Sequence, residues 1–418
     1  MNRKTATYPY SIAEKSRLIR NGVRISLEIG LKHPHTEDGD MEREQTAAIV
    51  SDLKRKMVFL SGPRQVGKSW LARQIASSHF QRARYLNWDN LQDRRVILEY
   101  GWSTTTDLLV LDEIHKMPQW KNHLKGIWDS RKEGMSVLVT GSARLETFRQ
   151  SGDSLAGRYL HHHLFPITPA EAFRINTPAP LPRFLERGGF PEPFLVDSSD
   201  DANRWRRQYV DGLVREDILN FENITQLRAM NLLVELLRER IASPLSYQSL
   251  AEDIGVSPNT VKHYISILEA LYIVFCVFPY HRSIARALTR QPKLYFFDVG
   301  LVRGDMGAKL ENLVAVSLLK ELCLREDRDG KRRQLACIRT KDGREVDFLT
   351  VEEDAPPMMI EVKASDSALS PNLRFFHERY GFKGVQLVAD LHSENESGPL
   401  HVRRAISFLE NPEFDRNT

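Results

Sequence analysis

The chain reads Gly62-Pro63-Arg64-Gln65-Val66-Gly67-Lys68-Ser69 directly after the apolar run 57–60. This segment fits the pattern G-x-x-x-x-G-K-[ST], and residues 70–77 can continue from it as a helix. Glycines in such a loop let backbone N–H groups surround a phosphate, and the N-terminus of the following helix favours negative charge. The segment therefore predicts a strand, a phosphate-binding loop and a helix.

The end of this loop supplies the polar groups that ATP and Mg²⁺ need. We expect Lys68 to reach the β- and γ-phosphates and Ser69 to offer its hydroxyl to Mg²⁺. The rest of the loop, from Gly62 through Val66 and Gly67 to Trp70, is predicted to line the nucleotide. ATP and Mg²⁺ are thus the expected cofactors.

Two more apolar segments, 107–112 and 136–140, follow at intervals that suit helical crossovers. With the run before the loop they predict an α/β fold with a parallel sheet, extending to about residue 170. The first segment ends in Asp112 and Glu113, at the carboxyl end of a strand, which faces the nucleotide crevice in such sheets. We expect Asp112 to hold Mg²⁺ through water and Glu113 to polarise the attacking water, because neighbours on a strand point to opposite faces.

The segment 136–140 is followed by Gly141 and Ser142. Ser142 is a candidate for a polar contact to the γ-phosphate or to the attacking water. The alternative is an ordinary loop serine.

Residues 245–271 have the layout of a helix-turn-helix. The first helix is predicted to end at Gly255, and Ser257 and Pro258 suit the cap and first turn of the second. In a DNA-binding module the outward positions of the second helix lie along the major groove. The alternative is a module used only for packing or protein contact. The predicted outward residues are Asn259, Thr260, Lys262 and His263.

A basic segment follows at 281–303. The chain has 59 Lys and Arg against 55 Asp and Glu, a formal net charge of +4, and this segment holds an equal excess of basic residues. If it is helical, its first three arginines form one stripe with the spacing of a phosphate-tracking contact. A solvated basic face is the alternative. The basic residues are Arg282, Arg286, Arg290, Lys293 and Arg303.

A carboxylate–lysine pattern lies near the C-terminus. Glu361 and Lys363 are two residues apart, so they share a face of the predicted strand 358–363, and Asp347 can join them from a neighbouring strand. Two carboxylates can hold Mg²⁺ while a lysine steadies the scissile phosphate or the nucleophilic water. The pattern resembles the PD-(D/E)xK nuclease fold, in which Glu311 matches the additional acidic residue. Either a working nuclease or a nucleic-acid-binding or structural relic fits it.

The loop, the LLVLDE and VTGSA segments and the later SLAGR and LFPIT segments resemble the AAA-type ATPases. They resemble most a prokaryotic branch that carries a C-terminal winged helix and nuclease-like region. The resemblance implies an ATPase core with a helical lid, and a homo-oligomer, often a ring, in which one subunit lends an arginine to its neighbour. Arg158 stands where that pattern puts the arginine, and Arg144 is its rival.

Adjacent histidines at His161, His162 and His163 do not by themselves predict a metal site. On a strand only the first and third share a face, and no cysteine or acidic residue lies near them at ligand spacing.

Composition excludes several classes of protein. Three cysteines cannot form a disulfide framework, no apolar run reaches the length of a membrane span, and the N-terminal residues lack an apolar signal region. We therefore expect a cytoplasmic protein with no membrane partner.

The predicted function is an Mg²⁺-dependent ATPase that binds and remodels DNA through its C-terminal modules. One alternative is an ATP-gated, metal-dependent DNA nuclease, and another is a nucleotide switch that regulates a protein partner. The predicted organisation is an N-terminal extension (1–40), an AAA-type core (41–175), a helical lid (176–240), a winged-helix-like domain (241–300), a nuclease-like domain (301–400) and a C-terminal tail (401–418).

Overall fold

In the computed structural model the loop follows one strand of a parallel sheet. The structure describes residues 43–141, 155–213, 227–280, 291–340 and 342–412. All of these belong to one unit, Glu42–Thr418. The predicted extension 1–40 and five of the predicted residues lie outside the described residues. Those five are Ser142, Arg144, Arg282, Arg286 and Arg290.

The first sheet is formed, among the described residues, by β1 (Met57–Ser61), β2 (Ala83–Asn87), β3 (Leu108–Asp112), β4 (Ser136–Thr140) and β5 (Tyr159–His163). Their order is β2-β3-β4-β1-β5, and every neighbouring pair is parallel. Every residue of β1, β3 and β4 is buried, as expected for central strands covered on both faces. The α/β prediction is confirmed. The helices around these strands are α1 (Thr46–Leu53), α2 (Lys68–His79), α3 (Leu91–Leu98) and α4 (Trp120–Ser130).

Short helices follow the first sheet. An aromatic cluster of Phe190, Trp205 and Tyr209 packs the start of α7 against α8, with the last two rings stacked 4.8 Å apart. A buried ion pair between Arg206 and Asp298, 3.0 Å long, ties them to the chain that follows. The helices are α5 (Pro169–Arg174), α6 (Leu181–Arg187), α7 (Pro191–Leu195), α8 (Ser199–Gly212) and α9 (Leu227–Glu239).

The helix-turn-helix forms as its turn residues predict, from α10 (Tyr247–Ile254) and α11 (Pro258–Ala270). Gly255 ends α10 with φ 75°, the left-handed conformation that suits glycine. Ser257 caps α11 by accepting a hydrogen bond from the Thr260 amide. This local geometry follows from sequence because each cap involves residues only a few positions apart.

A second sheet has eight strands in the described part of the chain, in the order β12-β13-β11-β10-β9-β8-β6-β7. The sheet extends across the predicted boundary at residue 300, because β6, which lies before it, pairs with β8, which lies after it. The strands are β6 (Val274–Pro279), β7 (Lys293–Phe296), β8 (Arg333–Arg339), β9 (Glu345–Glu352), β10 (Ala355–Lys363), β11 (Lys383–Val388), β12 (Asn395–Ser397) and β13 (Leu400–Arg404).

One long helix, α12 (Met306–Asp329), lies against both sheets. It contacts β5 of the first sheet and β7, β8, β9 and β10 of the second. Neither this helix of 24 residues nor another helix in the described ranges is long and apolar enough to cross a membrane.

Two helices follow, α13 (Pro371–Tyr380) and α14 (Ala405–Glu410). The predicted tail, 401–418, is wrong over its first part, because β13 and α14 occupy it and Phe408 and Leu409 are buried. The apolar residues of α14 are few and closely spaced, so no periodic signal of helix length is present there.

Candidate nucleotide site

The loop between β1 and α2 takes a shape that glycine alone allows at its first position. Gly62 has φ 143°, and a Cβ atom there would lie 2.1 Å from the carbonyl oxygen of Leu164. Gly67 has φ 98° and stands directly before α2. The loop therefore packs closely against the residue that follows β5. It leads directly into the N-terminus of α2, where backbone N–H groups can face an anion.

Lys68 is the first residue of α2, and its ammonium turns back over the loop. It donates hydrogen bonds to the carbonyl oxygens of Gly62 (2.9 Å) and Pro63 (2.5 Å). Burial lowers the pKa of Lys68 to about 8, although the nearby carboxylates of Glu113 and Asp112 oppose that shift. The side chain is 8% exposed, so its charge lies in a poorly solvated place where it can act strongly on a phosphate.

Ser69 and Asp112 meet although they are far apart in the sequence. The Ser69 hydroxyl donates a hydrogen bond of 2.8 Å to Asp112 Oδ2. Asp112 is 3% exposed at the end of β3, beside the Thr140 hydroxyl, which donates to Oδ1 at 2.5 Å. A hydroxyl and a carboxylate at one point suit Mg²⁺, which prefers oxygen ligands, so these residues fit the expected ion. Ser69 and Asp112 would hold it, and a bound Mg²⁺ would neutralise charge on the phosphates.

Two residues that the sequence did not single out complete the surroundings of Asp112. Tyr85 donates its hydroxyl to Asp112 Oδ2, and the Asn87 side-chain amide lies 3.4 Å from the same oxygen. Burial and the Asp112 carboxylate raise the pKa of Tyr85 to about 12. The available signal was the strand β2 itself, because the carboxyl ends of parallel strands meet at one edge of the sheet. The strand β2 is largely polar and only Leu86 in it is buried, so its sequence lacks the apolar run of a central strand.

Glu113 does not continue β3, so the predicted division of faces between it and Asp112 is wrong. Its φ is 57°, which turns the chain into a short 3₁₀ helix, Ile114–Lys116. The carboxylate lies 3.1 Å from the Lys116 ammonium and 3.6 Å from His115 Nε2. Burial raises the pKa of Glu113, while Lys116 opposes the rise. The residue still stands next to Asp112 at the same edge of the sheet.

Arg158 lies at the opposite end of the strands from the loop. Its carbonyl accepts a hydrogen bond from the amide of Met57, the first residue of β1, whereas the loop follows the last. The guanidinium pairs with Asp129 on α4, with Nε 3.0 Å from Oδ1, and its side chain is 31% exposed. Because β1 has 5 residues and each rises about 3.3 Å, Arg158 lies well away from the loop of its own chain. A role in hydrolysis would thus require a neighbouring subunit.

The other loop positions differ in their exposure to solvent. Arg64 is half-buried, Gln65 is exposed with φ 59°, and Trp70 is 45% exposed. Val66 is buried, and its carbonyl oxygen accepts a hydrogen bond of 2.9 Å from Arg43 NH1. Arg43 therefore supports the loop through the Val66 carbonyl, although no sequence motif indicates it.

Arg43 belongs to a buried network that joins the loop to α12. It pairs with Glu171 of α5 at 2.5 Å, and Lys320 of α12 pairs with the other carboxylate oxygen of Glu171. Glu44 lies 3.2 Å from the Lys320 ammonium. Burial alone would raise the pKa of Glu171, but Arg43 and Lys320 outweigh it and lower the pKa to about 2. The three central side chains are each at most 2% exposed.

A second polar cluster forms in the second sheet, where the predicted Asp347, Glu361, Lys363 and Glu311 come together. Lys363 Nζ lies 2.9 Å from Glu361 Oε1, and Asp347 Oδ2 accepts a hydrogen bond from the Val362 amide. Burial and repulsion from Asp347 raise the pKa of both Glu361 and Glu311 to about 7. One buried oxygen, Glu361 Oε2, has no hydrogen-bond partner among the described residues.

Lys293, which belongs to the basic segment 281–303 of the sequence, stands inside this cluster. The ammonium lies 2.9 Å from Asp347 Oδ1 and 3.1 Å from Glu311 Oε1, and it also pairs with Glu345. It is 3% exposed. Burial lowers the pKa of Lys293, but the three carboxylates outweigh that effect and raise it above its ordinary value. Only tertiary structure could reveal this, because Lys293 and Asp347 are separated by most of two strands and α12.

The predicted residues of the helix-turn-helix lie on one side of α11. Asn259, Lys262 and His263 are exposed, whereas Thr260 is half-buried and its hydroxyl lies 2.8 Å from that of Ser257. Arg303, from the basic segment, pairs with Glu235 at 2.6 Å. Among the predicted residues of α11, three are thus exposed, whereas Arg303 is paired with α9.

Residues 54–173 match the family model described as AAA domain. This part of the chain is therefore similar to AAA-type ATPase domains. Residues 179–309 and 306–398 match two domains of unknown function, DUF8612 and DUF4143. The AAA match covers the first sheet and the loop, so it supports nucleotide binding and hydrolysis in general.

Relatives are distant. An uncharacterized protein of Mycobacterium tuberculosis is 26% identical over 270 residues, which cover 63% of this chain and 59% of that protein. An uncharacterized protein of Methanocaldococcus jannaschii is 23% identical over 343 residues, covering 74% and 75%. Among solved structures, the RuvB Holliday junction branch migration motor of Thermotoga maritima is similar with 16% identity and a TM-score of 0.30, covering 55% of this chain and 87% of that one. The alignment spans only part of the mycobacterial relative.

Proposed function

We propose that this protein is an Mg²⁺-dependent ATPase that binds duplex DNA through α11 and uses ATP hydrolysis to remodel it. The observation that carries the ATPase assignment is the meeting of Ser69 and Asp112, 2.8 Å apart, beside the buried Lys68 ammonium. These groups come from the loop and from a neighbouring strand, and they converge at the edge of the sheet where nucleotides bind in such folds.

In this proposal each side chain has one task. Lys68 leaves the loop carbonyls and contacts the β- and γ-phosphates of ATP. Glu113 orients the attacking water and accepts its proton, a role that its raised pKa suits. Tyr85 and Thr140 fix the Asp112 carboxylate by hydrogen bonds.

The same proposal includes a homo-oligomer in which Arg158 serves the site of a neighbouring subunit. Its position just before β5, at the end of the strands away from its own loop, and its partly exposed side chain support that role. Ser142 remains a candidate for a contact to the γ-phosphate or the water.

DNA is proposed as the partner because the exposed face of α11 carries Asn259, Lys262 and His263. A helix with such a face, held by a second helix and a short turn, suits the major groove. Replacing Lys262 by Ala is expected to weaken duplex binding uniformly across sequences and to reduce the salt slope by about 1. Unchanged binding and slope would remove α11 from the interface.

The deciding experiment measures ATP turnover with duplex, single-stranded and branched DNA, with oligomeric state determined in parallel. We expect one DNA structure to raise turnover and Lys68→Ala to reduce it by about 10²-fold or more. Lys132→Ala is the matched control, because Lys132 is exposed on a loop. Turnover that survives Lys68→Ala would overturn the ATPase assignment. Turnover indifferent to every DNA would favour a nucleotide switch with a protein partner.

A second candidate function is metal-dependent DNA cleavage. The unsatisfied oxygen of Glu361 beside Lys363 favours it, because a buried carboxylate oxygen normally has a partner. The Lys293 ammonium opposes it by pairing with Asp347 and Glu311.

A further inference from the structure

In the folded chain an acidic residue that is distant in sequence, Asp327, lies beside the three adjacent histidines. His161 and His163 point to the same face of β5, with ring centroids 4.3 Å apart. Asp327, near the end of α12, lies over that face. Its two carboxylate oxygens are 2.9 Å and 3.0 Å from His163 Nδ1.

We propose that His161, His163 and Asp327 form a binding site for a divalent transition-metal ion, with zinc as the reference ion. One ligand atom from each residue lies within 4.8 Å of the other two. Bonds of about 2.0–2.2 Å at tetrahedral or octahedral angles separate ligand atoms by about 3–3.5 Å. The His163–Asp327 separation already has that size, and small side-chain rotations bring His161 into range.

The ligand set defines the chemical class. Two imidazoles and a carboxylate suit zinc, cobalt, nickel or ferrous iron, whereas Mg²⁺ and Ca²⁺ prefer oxygen alone. His163 is 17% exposed and Asp327 is 8% exposed, so an ion can reach the site and keep water in its remaining positions. The third histidine is not part of the set, because His162 points to the other face and pairs with Asp52 at 2.9 Å.

Backbone contacts position two of the ligands in advance. The His163 amide donates a hydrogen bond of 2.8 Å to Asp327 Oδ2, which fixes the carboxylate beside the ring. His163 also pairs in register with Ser61, the residue before the phosphate loop. A bound ion would therefore hold the end of α12 to the strand beside the nucleotide site. This inference does not depend on the proposed DNA partner or on ATP turnover.

The test uses the full chain, freed of metal by a chelator and titrated with Co²⁺ and Zn²⁺. Calorimetry is expected to show a tight site that His161→Ala and Asp327→Asn each weaken by more than the ~10–100-fold that loss of an outer partner costs. His79→Ala, which removes an exposed histidine at the end of α2, should leave it unchanged. Zinc should also raise the Tm of the native chain and not that of the two variants. Equal binding by all four proteins would overturn the proposal.

A measurement on the native chain removes any dependence on the folding of variants. X-ray absorption of the zinc-loaded protein is expected to show two imidazole ligands and oxygen ligands at zinc distances. A zinc shell of oxygen alone, or no stoichiometric binding, would overturn the site.

Discussion

Lys320 of α12 forms a buried ion pair with Glu171 of α5, and through Arg43 this pair extends to the carbonyl oxygen of Val66 in the phosphate loop. The same helix carries Glu311 in the second sheet's cluster and Asp327 beside β5. One rigid element thus touches the nucleotide loop's support and the C-terminal cluster. Any displacement of the loop that moves Arg43 must be accommodated by Lys320 or by Glu171.

Replacing Lys320 by Met is expected to lower the free energy of unfolding by about 3–5 kcal/mol, because it leaves a buried carboxylate without one of its cations. Chemical denaturation of the full chain measures the loss. Lys331→Ala is the control, since its pair with Asp354 is exposed on both sides and is worth about 0–1 kcal/mol. Similar small losses in both variants would show that Lys320 contributes nothing beyond a surface pair.

The Glu171 carboxylate predicts a pH dependence. Its pKa falls from the usual 4.5 to about 2 in the folded chain, because Arg43 and Lys320 outweigh burial. A lowered pKa contributes stability that is fully present above pH 4.5 and is lost as pH falls toward 2. The difference in unfolding free energy between the native chain and Glu171→Gln should therefore be constant at neutral pH and shrink in acid.

The control for this series is Glu133→Gln, whose side chain is exposed. Its difference from the native chain should stay flat over the same pH range. A flat line for Glu171→Gln as well would contradict the ion-pair account.

Glu113→Gln separates nucleotide binding from hydrolysis. The amide keeps the size of the side chain but cannot accept a proton, so turnover is expected to fall by about 10²–10⁴-fold while ATP binding persists. Steady-state turnover and equilibrium binding of a fluorescent nucleotide measure the two properties. Glu133→Gln again serves as the control, and full turnover by Glu113→Gln would assign the water to another residue.

The position of Lys293 bears on whether the C-terminal cluster can cleave DNA. Its ammonium neutralises Asp347 and Glu311, so we expect the native chain to show no Mg²⁺-dependent DNA cleavage. Lys293→Ala should destabilise the fold by less than the about 3–5 kcal/mol of a fully buried pair, because it leaves partly exposed carboxylates without their cation. Cleavage by the native chain that disappears in Glu361→Ala would contradict this expectation and establish the nuclease.

Sequence alone determined the features that depend on neighbouring residues. The loop from Gly62 to Ser69, the caps at Ser257 and Gly255 and the period of the buried strands each arise within a few positions, and the structure has them. The pairing of Glu361 with Lys363 was also accessible, because strand periodicity puts side chains two apart on one face.

Tertiary structure alone decided which charges meet. Lys293 belongs to a basic segment of the sequence, yet folding buries it among three carboxylates. A buried charge is costly unless it is paired, and here its partners come from other elements of the fold. His161 and His163 had no acidic neighbour in sequence, and α12 supplied Asp327 from 164 positions along the chain. Residue spacing fixes what can meet within an element, whereas the packing of helices on sheets fixes what meets between elements.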